Sequence, residues 1–207
     1  MIEIKNLSHS YGETTIQYPD WKVEEGKHAM ILGNSGCGKT TLLHLLAGLM
    51  KVPTGSISIS GELISNKSDS DLDHFRGQNI GLIFQKPHLV SALSVKENLT
   101  LSQYLGKKKI DVKRVEETLD QLGISDLKNR KIHQISQGQA QRVSIARAIL
   151  NSPKLLLADE PTASLDDDNC NKVIQLLKYQ AEQNGSTLII ATHDHRVKSE
   201  FDNMLEL

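Results

Sequence analysis

The sequence predicts an α/β fold in which a mainly parallel sheet is covered on both faces by helices. Short apolar runs typical of buried strands alternate along the chain with longer segments in which apolar residues recur every three or four positions. This alternation is typical of crossover connections that place parallel strands in one sheet. The 207 residues fit one domain with a smaller lobe, because a domain usually spans roughly 100–200 residues.

Composition limits both the class of protein and its partners. The chain carries 24 basic and 25 acidic residues, a formal net charge of −1 and a sequence pI of about 6.7. No nucleic-acid partner is expected, because a nucleic-acid-binding domain commonly has a pI above about 9. Two cysteines, Cys37 and Cys170, are too few for a disulfide or zinc framework and favour a reducing compartment. The most apolar segment, residues 41–50, is about half a membrane span, and the charged amino-terminal residues do not fit a signal peptide.

The amino-terminal part of the chain predicts six strands and one helix. Residues 28–32 form an apolar run that ends at Gly33, which predicts a buried strand. Leucines recur at helical spacing after Lys39, which predicts a helix over residues 39–47 that stops at Gly48. The other strands predicted here cover residues 2–4, 14–18, 21–23, 55–59 and 80–84.

Residues 87–133 predict a helical subdomain inserted into the α/β core. Apolar residues recur there at helical spacing in two groups, one starting at Val95 and the other at Val112. We therefore expect a single domain over residues 1–207, in which 1–86 and 134–207 form the core with a short β subdomain. The remaining elements predicted in this core are helices over 138–150 and 167–183 and strands over 154–158, 187–190 and 204–207.

A glycine-rich segment between a predicted strand and a predicted helix points to phosphate binding. Gly33-Asn34-Ser35-Gly36-Cys37-Gly38-Lys39-Thr40 fits the pattern Gly, any four residues, Gly-Lys-Ser/Thr. The glycines let the backbone curl so that N–H groups point at phosphate oxygens, and the helix adds the positive end of its dipole. Lys39 can reach the β- and γ-phosphates, and the Thr40 hydroxyl suits Mg²⁺. A glycine-rich turn alone is commonly only a turn, but this flanking context predicts nucleotide binding.

Two acidic residues follow the apolar run that ends at Ala158. Asp159 is expected at the carboxyl end of a parallel strand, where open α/β sheets bind ligands. Its carboxylate suits the shell of Mg²⁺, and Glu160 could polarise the water that attacks a γ-phosphate. Acids at this place can also simply cap a buried strand at the surface. The phosphate-binding segment upstream favours the catalytic interpretation.

Five further features resemble those of the ATPases of ABC transporters. The segment from Ile135 to Arg142 resembles their signature motif, and the segment from Pro161 to Asp166 resembles their D-loop. Thr192-His193-Asp194 resembles the motif of the switch histidine. Gln85 occupies the Q-loop position, and Tyr11 occupies the place of the aromatic residue that stacks on adenine. The resemblance covers almost the entire chain, with the motifs in the expected order. One position departs from the family pattern, since Gln137 stands where glycine is most common.

The resemblance implies an ABC-type α/β core with an antiparallel β subdomain and a helical subdomain. It also implies a head-to-tail homodimer that binds ATP and Mg²⁺ between the two chains. The residues expected to contact nucleotide are Tyr11, Gly33, Asn34, Ser35, Gly36, Cys37, Gly38, Lys39, Thr40, Thr41, Ser136, Gly138, Gln139 and Asp166. The residues expected to act in hydrolysis are Glu160 as general base, His193, Gln85 and Lys39. The residues expected around Mg²⁺ are Thr40, Gln85 and Asp159.

Within that family, the chain looks most like the MacB/LolD/FtsE group. The segments from His74 to Gln85 and from Leu157 to Thr162 carry this likeness, together with the compact length. It implies a separate FtsX-like integral-membrane permease, driven from the cytoplasmic face of the cell (inner) membrane, for export or for release of lipoprotein or peptide. The alternative is an FtsE-like ATPase that gates a partner and moves no substrate.

Overall fold

The computed structural model describes residues 1–163 and 165–207, which form two five-stranded sheets and six α-helices. Ser164, within the predicted D-loop motif, lies outside the described residues. The strands are β1 (Ile2–Tyr11), β2 (Thr14–Gln17), β3 (Trp21–Val23), β4 (Ala29–Leu32), β5 (Thr54–Ile59), β6 (Glu62–Leu63), β7 (Ile80–Ile83), β8 (Leu155–Asp159), β9 (Thr187–Thr192) and β10 (Asn203–Glu206). The helices are α1 (Lys39–Leu46), α2 (Asp69–Asn79), α3 (Val95–Leu105), α4 (Val112–Gln121), α5 (Gln137–Ile149) and α6 (Asp167–Gln183).

The antiparallel sheet confirms the expected β subdomain but corrects its first strand. Its order is β2-β1-β5-β6, and β3 pairs with β1. The strand predicted over residues 2–4 continues to Tyr11, because a bulge between Lys5 and Ser8 interrupts the alternation of buried and exposed residues. Asn6 lies in this bulge with φ 50°, a left-handed conformation that asparagine tolerates better than most residues. β1 therefore extends to Tyr11, which is the last residue of the strand.

The second sheet is entirely parallel and has the order β10-β4-β9-β8-β7. Two predicted strands were too short at their carboxyl ends, since β8 continues to Asp159 and β9 to Thr192. Two were too long at their starts, since His28 precedes β4 and Lys154 precedes β8. Asp159 pairs in register with Ala191 of β9. The segments that follow four adjacent strands, β4, β9, β8 and β7, therefore leave the sheet at one edge.

Alternate side chains of the parallel strands enter two separate hydrophobic clusters. In β8, Leu156 and Ala158 belong to one cluster, and Leu155 and Leu157 belong to the other. The first cluster contains the buried faces of α3, α4, α5 and α6, whereas the second contains α1 and the antiparallel sheet. Both faces of the sheet are covered, as the sequence predicts. Within the described residues, no helix has the length and apolar character that crossing a bilayer requires.

Helix α2 was not predicted. Only Leu72 and Phe75 of its eleven residues are buried against the core, so its apolar periodicity is weak. Its start is defined instead by Ser68, whose side chain accepts a hydrogen bond from the N–H of Asp71. The helix predicted from residue 138 begins one residue earlier, at Gln137. The helices expected over residues 87–133 are present as α3 and α4.

Gly81 in β7 occupies a position where a side chain cannot fit. A Cβ there would lie 2.4 Å from the carbonyl oxygen of Ala148 and 2.8 Å from Cδ1 of Leu156. We expect Gly81→Ala to lower the free energy of unfolding by about 3 kcal/mol, measured by urea denaturation, because the backbone of α5 cannot rotate away. Gly138→Ala is the control, because a Cβ at Gly138 meets nothing within 4 Å. Equal stability of the two variants would contradict the prediction.

Candidate active site

The predicted phosphate-binding loop connects β4 to α1 at the carboxyl edge of the parallel sheet. Gly36 has φ 84° and Gly38 has φ 106°, values that side-chain-bearing residues rarely adopt. Gly38 is the N-cap of α1, so the helix begins directly at Lys39. The loop therefore places a tight backbone turn directly beside the positive end of α1, an arrangement that suits a phosphate group.

Lys39 is buried within this loop although it carries a charge. It is 5% exposed, and its Nζ donates hydrogen bonds to the carbonyl oxygens of Gly33 at 2.8 Å and Asn34 at 2.9 Å. The same ammonium lies 3.6 Å from Oε1 of Glu160. A buried cation in this position is held ready for an anionic ligand, because its present partners are mainly neutral carbonyl groups.

Thr40 and Asp159 bring a hydroxyl and a carboxylate together beside the loop. The Thr40 Oγ1 donates to Oδ2 of Asp159 at 3.0 Å. Burial raises the pKa of Asp159, a shift that the hydrogen bond from Thr40 partly opposes. A carboxylate whose charge is disfavoured by burial is stabilised by a nearby cation. Oxygen donors of this kind fit Mg²⁺, which takes few protein ligands and completes its shell with water and phosphate oxygens.

Glu160 is held by the last residue of β9, the strand beside β8, and by the residue that follows it. Thr192, the last residue of β9, donates its hydroxyl to Oε2 of Glu160 at 3.0 Å. Nδ1 of His193 lies 2.9 Å from Oε1 of the same carboxylate. Glu160 itself has φ 46°, a strained value of the kind found at functional sites. The structure thus brings together Lys39, Glu160 and His193, as the sequence predicts.

A polar network that the sequence did not predict links the segments after β8 and β9. Asp194 accepts hydrogen bonds from Nε of Arg196 at 2.8 Å and from the hydroxyl of Thr162 at 3.3 Å. The hydrogen bonds from Arg196 hold the pKa of Asp194 well below its usual range. Arg196 also bonds to the carboxylate of Asp167 and, at 3.3 Å, to the carbonyl oxygen of Leu165. No local pattern marked the longer contacts of Arg196, because Asp167 and Leu165 come from a distant part of the chain.

Gln85 and Tyr11 lie at the edges of this site. Gln85 is exposed two residues after the end of β7, on the sheet edge that carries Asp159. Among the described residues, it makes no hydrogen bond to Thr40 or Asp159. Tyr11 is 52% exposed, and its hydroxyl lies 3.2 Å from Oγ1 of Thr41. Its accessible ring beside the loop is compatible with stacking on a base.

The predicted signature residues form a separate surface at the start of α5. Ser136 is the N-cap, and its Oγ accepts a hydrogen bond from the N–H of Gln139 while the Gln139 side chain bonds back to the N–H of Ser136. Gln137 is the first residue of α5, so its backbone conformation does not require glycine. Within the described part of the chain, no hydrogen bond or ion pair joins residues 136–139 to the phosphate-binding loop. Asp166 likewise serves as the N-cap of α6, accepting from the N–H of Asn169 at 2.8 Å.

This fold and this site define a phosphate-loop nucleoside triphosphatase. The family model described as "ABC transporter" matches residues 16–163. The chain is 39% identical to an uncharacterised ABC transporter ATP-binding protein of Methanocaldococcus jannaschii, covering 100% of this chain and 95% of that protein. The provisionally named hemin import ATP-binding protein HrtA of Staphylococcus aureus is 39% identical over 99% of this chain and 93% of its own length. The chain belongs to the ABC transporter family and is one of its ATP-binding, ATP-hydrolysing subunits.

Solved structures show the same cassette. The ABC transporter cassette MJ0796, solved as a dimer, has a TM-score of 0.88 and 33% identity, covering 100% of this chain and 94% of that one. The same cassette in a post-hydrolysis dimer bound to ADP and Pi has a TM-score of 0.87 and 32% identity. The expected fold, family and ATPase activity are thereby confirmed.

Proposed function

We propose that this chain powers a separate FtsX/MacB-like integral-membrane permease by dimerising on ATP, in export or in release of lipoprotein or peptide. One observation carries this proposal: Lys39, Glu160 and His193 converge on one edge of the sheet, while Ser136 and Gly138 lie on another surface of the same chain. A second chain placed head to tail would bring its Ser136 and Gly138 to the nucleotide. Each site is then complete only in the dimer.

The roles of the side chains follow from their places in the site. Lys39 contacts the β- and γ-phosphates, and Thr40, Asp159 and Gln85 hold Mg²⁺, which supplies positive charge to the phosphates when bound. Glu160 accepts a proton from the attacking water, while His193 orients Glu160 and contacts the γ-phosphate. Phosphoryl transfer depends mainly on positioning and charge stabilisation, so closure of the dimer would be coupled directly to hydrolysis.

The other nucleotide contacts in the proposal belong to two surfaces. Tyr11 stacks on adenine, and the loop residues surround the phosphates through their backbone. The second surface acts across the dimer interface. Its members are Ser136, Gly138, Gln139 and Asp166.

An apolar groove beside Gln85 supports a docking site for the permease. The groove has a volume of about 540 Å³ and lies between α2, β7, α3 and α5. Phe84 and Leu105 line it, together with the guanidinium-bearing Arg147. We propose residues 87–133 as a helical subdomain whose movement on ATP binding reshapes this groove. The chain would then lie peripherally on the cytoplasmic face of the inner membrane.

Relatives that combine ATP binding with a permease support this assignment. The macrolide export ATP-binding/permease protein MacB of Mannheimia succiniciproducens is 36% identical over 100% of this chain, which spans 33% of that protein. Its name joins ATP binding and a permease in one protein. We propose that here the permease is a separate protein, which would form the corresponding complex with this chain.

Light scattering on Glu160→Gln, with and without ATP, tests the composite site. We expect a monomer without ATP and a dimer with ATP, because the variant retains the binding residues and loses the general base. Glu160→Gln combined with Gly138→Asp is the matched control. The position is open in the free chain, so the fold is kept, whereas a carboxylate there would repel the partner's γ-phosphate. Two results would contradict the head-to-tail site. One is that Glu160→Gln binds ATP but stays monomeric, and the other is that the double variant still dimerises.

A further inference from the structure

The connection between α3 and α4 exposes apolar and basic side chains together. Four of the nine large apolar side chains that are exposed in the described part of the chain lie within residues 104–112. They are Tyr104 at 69% exposure, Leu105 at 67%, Ile110 at 50% and Val112 at 40%. A soluble surface normally scatters such residues singly, so their grouping indicates an interaction surface.

Three consecutive lysines occupy the same connection. We use the name α3–α4 loop for residues 104–112, which include the last two residues of α3 and the first residue of α4. Lys107, Lys108 and Lys109 are all exposed, and no carboxylate of the described residues lies within ion-pair distance of them. Lys108 donates to the carbonyl oxygen of Asn151, which leaves Lys107 and Lys109 without a hydrogen-bond acceptor among the described side chains. The one acid in the loop, Asp111, is engaged as the N-cap of α4 through the N–H of Arg114. The loop therefore presents three positive charges against one negative charge.

The loop is held in place against the core. A Cβ at Gly77 of α2 would lie 3.0 Å from Cα of Gly106, so the backbones of α2 and the loop are in close contact. Leu105 at the start of the loop also lines the groove proposed for the permease. The surface is thus continuous with the face that we assign to a membrane-spanning partner, and it lies on the rim of that face.

We propose that the α3–α4 loop binds the headgroup region of an anionic lipid bilayer. Compact lysine ammonium groups interspersed with tyrosine and aliphatic side chains are typical of segments that lie in a membrane interface. The lysines contact lipid phosphates, while Tyr104, Leu105 and Ile110 enter the boundary between headgroups and acyl chains. This contact goes beyond the proposed docking on a permease, because it requires lipid alone.

Sedimentation with vesicles tests the proposal on the full chain without any permease. We expect binding to vesicles of equal parts phosphatidylglycerol and phosphatidylcholine at low salt. Binding should decrease with salt and be absent for phosphatidylcholine alone. Each lysine near an anionic surface contributes about fivefold to the partition coefficient, so Lys107→Gln with Lys109→Gln should reduce it by about 30-fold. Replacing Leu105 and Ile110 by serine should also weaken binding.

A second pair of exposed lysines provides the control of equal charge. Lys154→Gln with Lys172→Gln should bind vesicles as the unmodified chain does, because both residues lie outside the loop. ATP hydrolysis by all variants reports intact folding independently of vesicle binding. No binding to anionic vesicles, or equal losses in both lysine pairs, would overturn the proposal. It would also be overturned if the loop variants bound vesicles normally but lost a co-purifying membrane protein, since the loop would then be a protein contact.

Discussion

Replacing Glu160 by glutamine is expected to lower kcat for ATP hydrolysis by about 10²–10⁴-fold while ATP still binds. The factor is the usual contribution of a positioned general base. Glutamine has the shape of glutamate and can still meet the hydroxyl of Thr192 and the ring of His193, which lie 3.0 Å and 2.9 Å from the present carboxylate. It cannot accept the proton of the attacking water. Steady-state hydrolysis assays and equilibrium ATP binding on the same preparation would measure the two effects separately.

Thr192→Val provides a comparison for this experiment. It removes the hydroxyl that orients Glu160 but leaves the carboxylate itself, so we expect a smaller decrease in kcat, about tenfold. The bond from the Asp194 N–H to the same hydroxyl, 3.0 Å long, would also be lost. If Glu160→Gln hydrolysed ATP within threefold of the unmodified chain, Glu160 would not be the general base.

Replacing Lys39 by alanine is expected to weaken ATP binding by about 100-fold. Hydrogen bonds to charged groups contribute about 1.5–3 kcal/mol each, and a tenfold change in affinity corresponds to about 1.4 kcal/mol. The ammonium is already fixed 2.8 Å from the carbonyl oxygen of Gly33, so little side-chain entropy is lost when a phosphate replaces that partner. Isothermal titration calorimetry with ATP would give the change in Kd.

Lys39→Met distinguishes lost charge from lost packing. Methionine keeps an unbranched apolar stem in the buried site but has no charge, so its ATP affinity should fall as far as that of the alanine variant. Thermal denaturation of both variants checks that the loop's surroundings stay folded. An ATP affinity within threefold of the unmodified chain in either variant would remove Lys39 from the phosphate site.

The sequence predicted most of the fold because its elements have strong local patterns. β8 and β9 each contain a run of four apolar residues, and α6 was predicted with its observed bounds because three acids mark its start. Helix α2 was missed because it buries only two side chains against the core, which leaves its apolar periodicity weak. The length of β1 was missed because a bulge breaks its alternation, and a bulge depends on the partner strand as much as on the strand itself.

The candidate site likewise contains residues that the sequence predicted and contacts that it did not predict. The phosphate-binding loop could be predicted because one short segment contains all its residues. Asp159 and Glu160 could be predicted because they directly follow a buried strand. The contacts of Arg196 could not, because Asp167 and Leu165 reach it from 29 and 31 residues away. Such contacts are set by how β8 and β9 lie side by side in the sheet, which no local pattern records.

The hydrogen bonds to Asp194 have a mechanical consequence. Thr162 belongs to the segment after Glu160, and Asp194 directly follows His193, so the bond between them joins the segments that contain Glu160 and His193. Arg196 adds a second connection through Leu165. We expect these hydrogen bonds to couple the two segments, so that a nucleotide that displaced His193 would also displace Thr162 and Leu165. In the proposed head-to-tail dimer, loss of phosphate from one site would then be transmitted toward the surface that faces the other chain.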